Sequence, residues 1–305
     1  MALLNIILML LTFAFLHHEI TITEARLDLG VCYGMMGDNL PSPEEVVRLY
    51  RSYNIGKMRL LDTNPNALAA LRDSGIEVTV GTRNQDLESI ASSGSKDVVR
   101  HQRATSVVNE YGYSGMWITT VVPNTTLVSF NPPSSATFSD AACADMVGII
   151  NFLSSNGSPL MIKAYPYFAF DIYPVNVSLD YVLATATDPV VQDGSLSYSN
   201  MLDAIVDGFY WAMEKEGVTG VDVVVSETGW PSQGHSYFTD PELAQTYNKN
   251  LVKRFLAKTG MPKRPDRSLG GFIYSMFDEN EKPARVDKYF GLFYPSGKPV
   301  YRVFD

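Results

Sequence analysis

The sequence predicts an α/β fold in which parallel strands and helices alternate and the strands curl into a (β/α)8, or TIM-barrel, architecture. Seven apolar runs of strand length recur, at 27–34, 57–62, 77–82, 115–122, 159–167, 221–230 and 270–280. The runs are continuously apolar rather than alternating, which is typical of parallel strands buried on both faces. Helical patterns fill most of the gaps, and this alternation favours either a closed barrel or a doubly wound sheet.

Three helical patterns carry start or stop signals. The sequence Ser42-Pro43-Glu44-Glu45 predicts a capping box that opens the first helix. Apolar residues repeat at helical spacing across 202–213, and Gly217 can end that helix. The stretch from Thr239 to Glu242 predicts a second capping box. We interpret the apolar stripes of these helices as faces that pack against the core.

The ends of the strands favour the barrel over the doubly wound sheet. Several runs finish in polar or aromatic residues, namely Tyr33, Asp62, Tyr165, Tyr167, Glu227, Asp278 and Glu279, and Asn84 lies just beyond the third run. In a barrel, the carboxyl ends of all strands meet at one mouth, where active sites lie. A doubly wound sheet usually carries a glycine-rich phosphate loop after its first strand, and neither that motif nor a P-loop is present in the sequence.

Composition narrows the classes of partner and cofactor. The 305-residue chain has a net charge of -9 and no basic run, which argues against nucleic-acid binding. Its two cysteines are Cys32, in a strand-like run, and Cys143, in a helix-like run, so we expect two buried free thiols rather than a disulfide scaffold. Of the four histidines, only His101 and His235 lie beyond residue 25, and neither has a ligand-like neighbour at metal spacing. We therefore expect neither a metal nor another cofactor.

The N-terminus resembles a targeting segment. The apolar start of the chain is short for a membrane span and small residues suited to cleavage follow, so residues 1–25 predict a signal peptide before a single domain at 26–305. An uncleaved anchor is the alternative. No later segment is apolar enough to cross a membrane. We expect a secreted monomer, extracellular or in the cell wall, with the vacuole as another destination.

The sequence "VVVSETGW" ends a buried run in a carboxylate, Glu227, followed by a turn. A carboxylate at a barrel mouth among Trp, Tyr and Phe suits a carbohydrate ligand, because aromatic faces stack on sugar rings and carboxylates stabilise an oxocarbenium-like transition state. The alternative interpretation is a glutamate that forms a salt bridge at a strand end.

Five segments of the chain form a specific pattern when taken in order, namely "VCYGMMGDNLPSP", "KMRLLDTN", "AYPYFAF", "VVVSETGWPSQG" and "MFDENEK…YFGLFYPSGKPVY". Together they resemble the plant family 17 glycoside hydrolases, the endo-β-1,3-glucanases. The resemblance implies a (β/α)8 barrel and retaining hydrolysis of β-1,3-glucan, in plant defence or in remodelling of the plant cell wall. It places Glu227 on the family's nucleophile, Glu279 and Lys282 on supporting charged groups, and Tyr33, Tyr165 and Phe277 on aromatic positions that line the cleft.

The family's general acid has no clear counterpart. It is a glutamate in a Gly-Asn-Glu motif at the end of strand four, and this sequence has no such motif. Residues 83–114 read as a loop and one helix, where the family has an additional strand and helix, so the barrel is predicted to be incomplete. Glu110 is the alternative acid, but only about five residues would separate it from the next strand, and a βαβ crossover needs at least about 10–12.

This loss leads to three hypotheses about activity. Retaining hydrolysis needs two carboxyl groups about 5–5.5 Å apart, so a β-1,3-glucanase without its acid should be weak or inactive on polymer. The second hypothesis is a non-catalytic relative that binds β-glucan through its aromatic cleft. The third is a shortened product that folds poorly.

Overall fold

The computed structural model describes residues 26–62, 64–81, 117–235, 237–283 and 285–304, and its centre is a seven-stranded parallel sheet. The strands of this sheet are β1 (Leu27–Tyr33), β2 (Ile55–Leu60), β3 (Glu77–Val80), β4 (Val121–Pro123), β5 (Leu160–Lys163), β8 (Val223–Thr228) and β9 (Gly271–Ile273). Their order is β3-β2-β1-β9-β8-β5-β4. A separate antiparallel hairpin, β6 (Val191–Asp193) and β7 (Leu196–Tyr198), was not predicted from the sequence.

The sheet confirms the predicted fold class, because each of the seven apolar runs contributes one parallel strand. It curls into a half-barrel that corresponds to an incomplete (β/α)8 barrel. Strands β3 and β4 are the two ends of this sheet and follow each other among the described strands. A closed barrel would need its fourth strand at that position.

Several strands are shorter than their apolar runs. The run 270–280 keeps only three residues in the ladder, because beyond β9 the chain turns and Met276 N–H donates to Cys32 O. The run 159–167 ends as a strand at Lys163, since Pro166 begins a helix. Continuous hydrophobicity therefore overestimated strand length wherever the chain stayed buried after leaving the sheet.

The described residues include α-helices between most of the strands. They are α1 (Pro43–Ser52), α2 (Pro65–Leu71), α3 (Asp140–Asn156), α4 (Pro166–Ile172), α5 (Leu179–Val182), α6 (Met201–Lys215) and α7 (Pro241–Leu256). Short 3-10 segments lie at Asn124–Thr126, Pro133–Ser135 and Val286–Tyr289.

Two of the three predicted helix signals are confirmed and one is wrong in detail. Ser42 forms both halves of its capping box with Glu45. Gly217, with φ of 80°, follows the end of α6 as predicted. Helix α7, however, is capped by Asp240 rather than Thr239. The Asp240 carboxylate accepts hydrogen bonds from the backbone N–H groups of Glu242 and Leu243 in the first turn. The Thr239 hydroxyl instead accepts a 2.8 Å hydrogen bond from His235 N–H.

The strands bury side chains on both faces. The larger apolar cluster lies between the sheet and the helices, whereas Cys32, Met161 and Phe272 form a smaller cluster of their own. Neighbouring residues of a strand point to opposite faces, so the smaller cluster occupies the inside of the half-barrel. Both cysteines are free thiols as predicted, but only Cys32 is buried. The expectation that Cys143 is buried was wrong, because this residue lies on a partly exposed face of α3.

The structure describes too little of the N-terminus to test the predicted signal peptide, but its described helices can be compared with a membrane span. The predicted signal peptide at 1–25 lies outside the described residues, and the 26–305 domain assignment stays a prediction. Among the helices that are described, none is both long enough and apolar enough to cross a membrane.

Candidate active site

Charged side chains from three strands meet at the carboxyl edge of the half-barrel. Glu227 lies near the end of β8, Arg59 near the end of β2, and Lys163 is the last residue of β5. Lys163 and Glu227 are register partners, after an irregularity between Ile162 and Lys163. Because the carboxyl ends of parallel strands share one edge, residues distant in sequence come together there.

The Glu227 carboxylate is buried, with 5% of the residue exposed, and donors bind both of its oxygens. Oε1 lies 2.5 Å from Arg59 Nη1 and 3.3 Å from Lys163 Nζ. Oε2 accepts a 3.1 Å hydrogen bond from the Tyr165 hydroxyl. Burial, and then the charge of Glu227, raise the pKa of Tyr165 well above its ordinary value, so this phenol stays protonated and donates.

Arg59 is held on the inner side of the site. It is 5% exposed, and its Nη1 also lies 3.9 Å from Cys32 Sγ. The Cys32 thiol donates to Ser226 O at 3.4 Å. Burial raises the pKa of Cys32 to about 12, so the thiol is neutral and adds no negative charge beside Glu227.

Glu279 and Lys282 form a second charged group. Glu279 Oε1 accepts from Met36 N–H at 2.8 Å, and Oε2 lies 2.6 Å from Lys282 Nζ. The Lys282 ammonium also contacts the Tyr274 hydroxyl and lies 4.3 Å from the centre of the Tyr274 ring. Burial raises the pKa of Glu279 to about 7, and the hydrogen bond from Met36 N–H opposes this shift. Burial lowers the pKa of Lys282 to about 8, and the negative charges of Asp287 and Glu227 oppose that shift.

The three aromatic residues predicted to bind substrate have different environments. Tyr165 is partly exposed and contacts Glu227 directly. Tyr33 and Phe277 are 3% and 1% exposed and pack edge to face with ring centres 6.4 Å apart. In this structure they support the site from within the core, and their role as sugar-contacting residues stays a prediction.

No second carboxyl group contacts Glu227 within the described part of the chain. There, the groups that hydrogen-bond or ion-pair with its carboxylate are Arg59, Lys163 and Tyr165. The alternative acid, Glu110, lies outside the described residues. Across the same described ranges, no three or more His, Cys, Asp or Glu residues come together as a potential metal site.

Sequence reasoning missed Arg59, Lys163 and Tyr274. Arg59 interrupts the apolar run "KMRLLD" and Lys163 the run "PLMIKAYPY". A cation near the end of a buried strand needs a counter-charge, because burying an unpaired charge is costly. This signal could have linked both residues to Glu227.

The fold and site together define a class of enzyme. A buried carboxylate with both oxygens fixed, at the mouth of a (β/α) half-barrel and beside tyrosines, is suited to attack a sugar's anomeric carbon. The family model described as glycosyl hydrolases family 17 matches residues 29–112 and 105–304. The chain belongs to glycosyl hydrolases family 17.

Individual relatives agree with this assignment over most of their length. A probable glucan endo-1,3-beta-glucosidase of Arabidopsis thaliana is 41% identical, covering 92% of this chain and 92% of the relative. The basic isoform 1 of glucan endo-1,3-beta-glucosidase from Solanum tuberosum is 38% identical, covering 90% and 92%. A solved β-1,3-glucanase and allergen of Cryptomeria japonica pollen has a TM-score of 0.85 at 38% identity, covering 91% of this chain and 99% of that chain. A solved plant β-glucan endohydrolase gives the same TM-score at 33% identity, covering 91% and 100%.

The comparisons also bear on the segment in which the family carries its fourth strand. The Arabidopsis alignment spans 317 positions, more than the 305 residues of this chain, although only 92% of the chain takes part. The relative therefore has positions without a counterpart here. The family match divides into two stretches that meet at 105–112, which is the pattern expected when a segment within the family domain is shortened.

Proposed function

We propose that this protein hydrolyses internal β-1,3-glucosidic bonds of β-glucan by a retaining mechanism with Glu227 as the nucleophile. The observation that carries the proposal is the arrangement of Glu227, whose two oxygens are fixed by Arg59 and Tyr165 at the barrel mouth. Its substrate class is supported by relatives named glucan endo-1,3-beta-glucosidase.

In the first step, a Glu227 oxygen forms an ester with the anomeric carbon, and the bond from that carbon to the bridging oxygen breaks. Arg59 and Tyr165 orient the carboxylate during this attack. The departing oxygen takes up a proton from solvent water. A water molecule then attacks the anomeric carbon, which breaks the ester bond, leaves a hydroxyl on that carbon, releases a proton to solvent and restores the Glu227 carboxylate. The phenol of Tyr165 stays protonated throughout, because burial disfavours its charged form.

We further propose that cleavage of polymer is weak, because the Gly-Asn-Glu motif that carries the family's general acid is not found in the sequence and the spacing around Glu110 argues against that residue as a substitute. General acid catalysis typically contributes about 10²- to 10⁴-fold, and a sugar alkoxide is a poor leaving group. A substrate with an activated leaving group bypasses this requirement. Glu279 and Lys282 remain proposed supporting residues, through the charges they hold in the same barrel mouth.

The test compares two substrates. We expect turnover of an activated aryl β-glucoside or aryl β-1,3-glucobioside, with little release of reducing ends from a β-1,3-glucan. The variant E227Q should abolish aryl glycoside turnover. Strong polymer cleavage that E227Q abolishes would contradict the loss of the acid. Turnover that survives in E227Q would contradict the role of Glu227.

A non-catalytic β-glucan-binding protein is the second candidate. It is favoured by the absence of a carboxyl partner for Glu227 among the described residues and by the divided family match. Polymer binding in a pull-down assay, without turnover of either substrate, would support it. A thermal melt without a cooperative transition would instead support a shortened, poorly folding product.

We propose that the chain enters the secretory route as a monomer. The apolar N-terminal segment supports export, and the vacuole is an alternative destination because a Nicotiana plumbaginifolia relative is a basic vacuolar isoform. A C-terminal fluorescent fusion expressed in plant cells tests the destination, and retention in the cytosol would refute it. Size-exclusion chromatography with light scattering tests the monomer.

A further inference from the structure

We propose that Lys163 is a positioning residue that restrains the Glu227 carboxylate and disfavours positive charge on the bound sugar. This inference rests on the function proposed above, because it concerns the reaction at the same carboxylate. Lys163 would thereby set the rate of attack without taking part in bond formation.

Lys163 and Arg59 contact the Glu227 carboxylate from different sides. Both cations lie against the same oxygen, Glu227 Oε1, at 3.3 Å and 2.5 Å. The Arg59 side chain is only 6% exposed and holds the carboxylate from the buried side, whereas the Lys163 side chain is 44% exposed. Lys163 therefore lies on the solvent side of the carboxylate, from which a substrate enters.

The charges around Glu227 do not balance. Arg59 alone offsets the carboxylate, and Lys163 adds a second positive charge. Cys32 and Tyr165 stay neutral, since burial raises the pKa of both groups. The group formed by these five side chains has a net charge of about +1.

The nearby ion pair leaves this excess unchanged. Glu279 and Lys282 lie 2.6 Å apart and offset each other when both are ionised, and protonation of Glu279 would only add to the positive charge. The excess positive charge at the mouth thus comes from Lys163, the more exposed of the two cations that touch Glu227.

This excess acts differently on the resting state and on the transition state. At rest, Lys163 attracts the ionised carboxylate. During attack the carboxylate loses charge and the anomeric carbon becomes positive, so the same ammonium loses an attraction and gains a repulsion. An interaction that is more favourable in the ground state than in the transition state slows the chemical step. Replacing Lys163 by a neutral residue should therefore favour positive charge at the sugar.

Calorimetric binding of two ligands tests this without relying on turnover. One ligand is a neutral β-1,3-linked glucose trisaccharide, and the other is its analogue with a protonated iminosugar in place of the reacting ring. We expect K163Q to bind the cationic ligand about two- to five-fold more tightly than the wild type, with unchanged binding of the neutral ligand.

Two variants serve as controls. K163R keeps the charge and should bind both ligands as the wild type does. K57Q removes a lysine in the first half of β2, where Lys57 pairs with Asp28 at 2.6 Å rather than with Glu227, and should also leave both affinities unchanged. If K57Q increased the affinity for the cationic ligand as much as K163Q does, the inference would be overturned, because the increase would reflect the net charge of the protein alone.

The remaining outcomes are also decisive. Equal or weaker binding of the cationic ligand by K163Q, with neutral binding intact, would overturn the inference. Weaker binding of both ligands would overturn it too, since Lys163 would then bind the sugar directly. A wild type that binds neither ligand would overturn the proposed function and the inference together.

Discussion

At the scale of single residues, the Glu227–Arg59 pair is the central interaction. Both residues are 5% exposed, and their charged atoms lie 2.5 Å apart. Removing two charges from water is costly, so such a pair adds little stability compared with an apolar pair. Its value here is geometric, because it fixes the orientation of the carboxylate. Removing only one partner should nevertheless destabilise the folded protein strongly, because it leaves an unpaired buried charge.

We expect E227A to lower the free energy of unfolding by about 3 kcal/mol, because Arg59 would remain buried without its counter-charge. E227Q should cost less, since its amide oxygen can still accept from Arg59. Urea denaturation of each variant measures both effects.

The double variant R59M/E227A is the matched control. Removing both charges should leave the protein more stable than E227A alone. An E227A variant as stable as the wild type, or a double variant less stable than E227A, would show that the pair is not a coupled buried ion pair.

At the scale of secondary structure elements, the loop after β9 packs tightly against the end of β1. Glu279 approaches the backbone of Gly34, the residue that follows β1, so closely that a Cβ at Gly34 would lie 2.5 Å from Glu279 Oε2. Glu279 cannot easily move, because Met36 N–H and Lys282 hold its two oxygens. Gly34 is thus required by the contact between these two segments.

We expect G34A to lower the free energy of unfolding by about 1–3 kcal/mol, as overpacking of a filled interior does. G220A is the matched control, because nothing lies within 4 Å of a Cβ at that position. Thermal or urea denaturation compares the two. Equal stability of G34A and G220A would mean that Glu279 can move aside.

At the scale of the whole molecule, buried carboxyl groups couple stability to pH. Burial raises the pKa of Asp278 to about 7 and that of Asp207 to about 6, from an ordinary value of 3.8. At a pH between 3.8 and the raised pKa of each group, the folded protein binds more protons than the unfolded chain. These two groups therefore contribute stability at low pH that is lost as the pH rises through about 6–7.

We expect D278N to raise the melting temperature at pH 8 by about 2–4 °C and to have little effect near pH 4.5. Asparagine retains the oxygen that accepts from Gly291 N–H at 2.9 Å, and it removes the cost of a buried negative charge. Scanning calorimetry across this pH range measures the difference.

D266N, at a side chain 73% exposed, should show no such pH dependence. A D278N variant destabilised equally at every pH would indicate that Asp278 acts through its shape or hydrogen bonds rather than through its charge.

The sequence by itself determined the local features of this protein. Hydrophobic runs are local, so all seven parallel strands could be predicted, although their lengths were overestimated where the chain stays buried beyond the sheet. Glu227 was recognisable as a candidate because a carboxylate that ends an apolar strand is itself a local signal. The capping box at Ser42 is likewise contained within four residues.

The tertiary structure alone decided which side chains meet at the site. Arg59 and Glu227 are 168 residues apart in the chain, and Lys163 comes from a third strand. Parallel strands bring such residues to one edge only when the sheet order and register are set, and these depend on packing of the entire molecule. The same packing buries Tyr33 and Phe277 while leaving Tyr165 in contact with Glu227, a distinction that their shared aromatic character could not reveal.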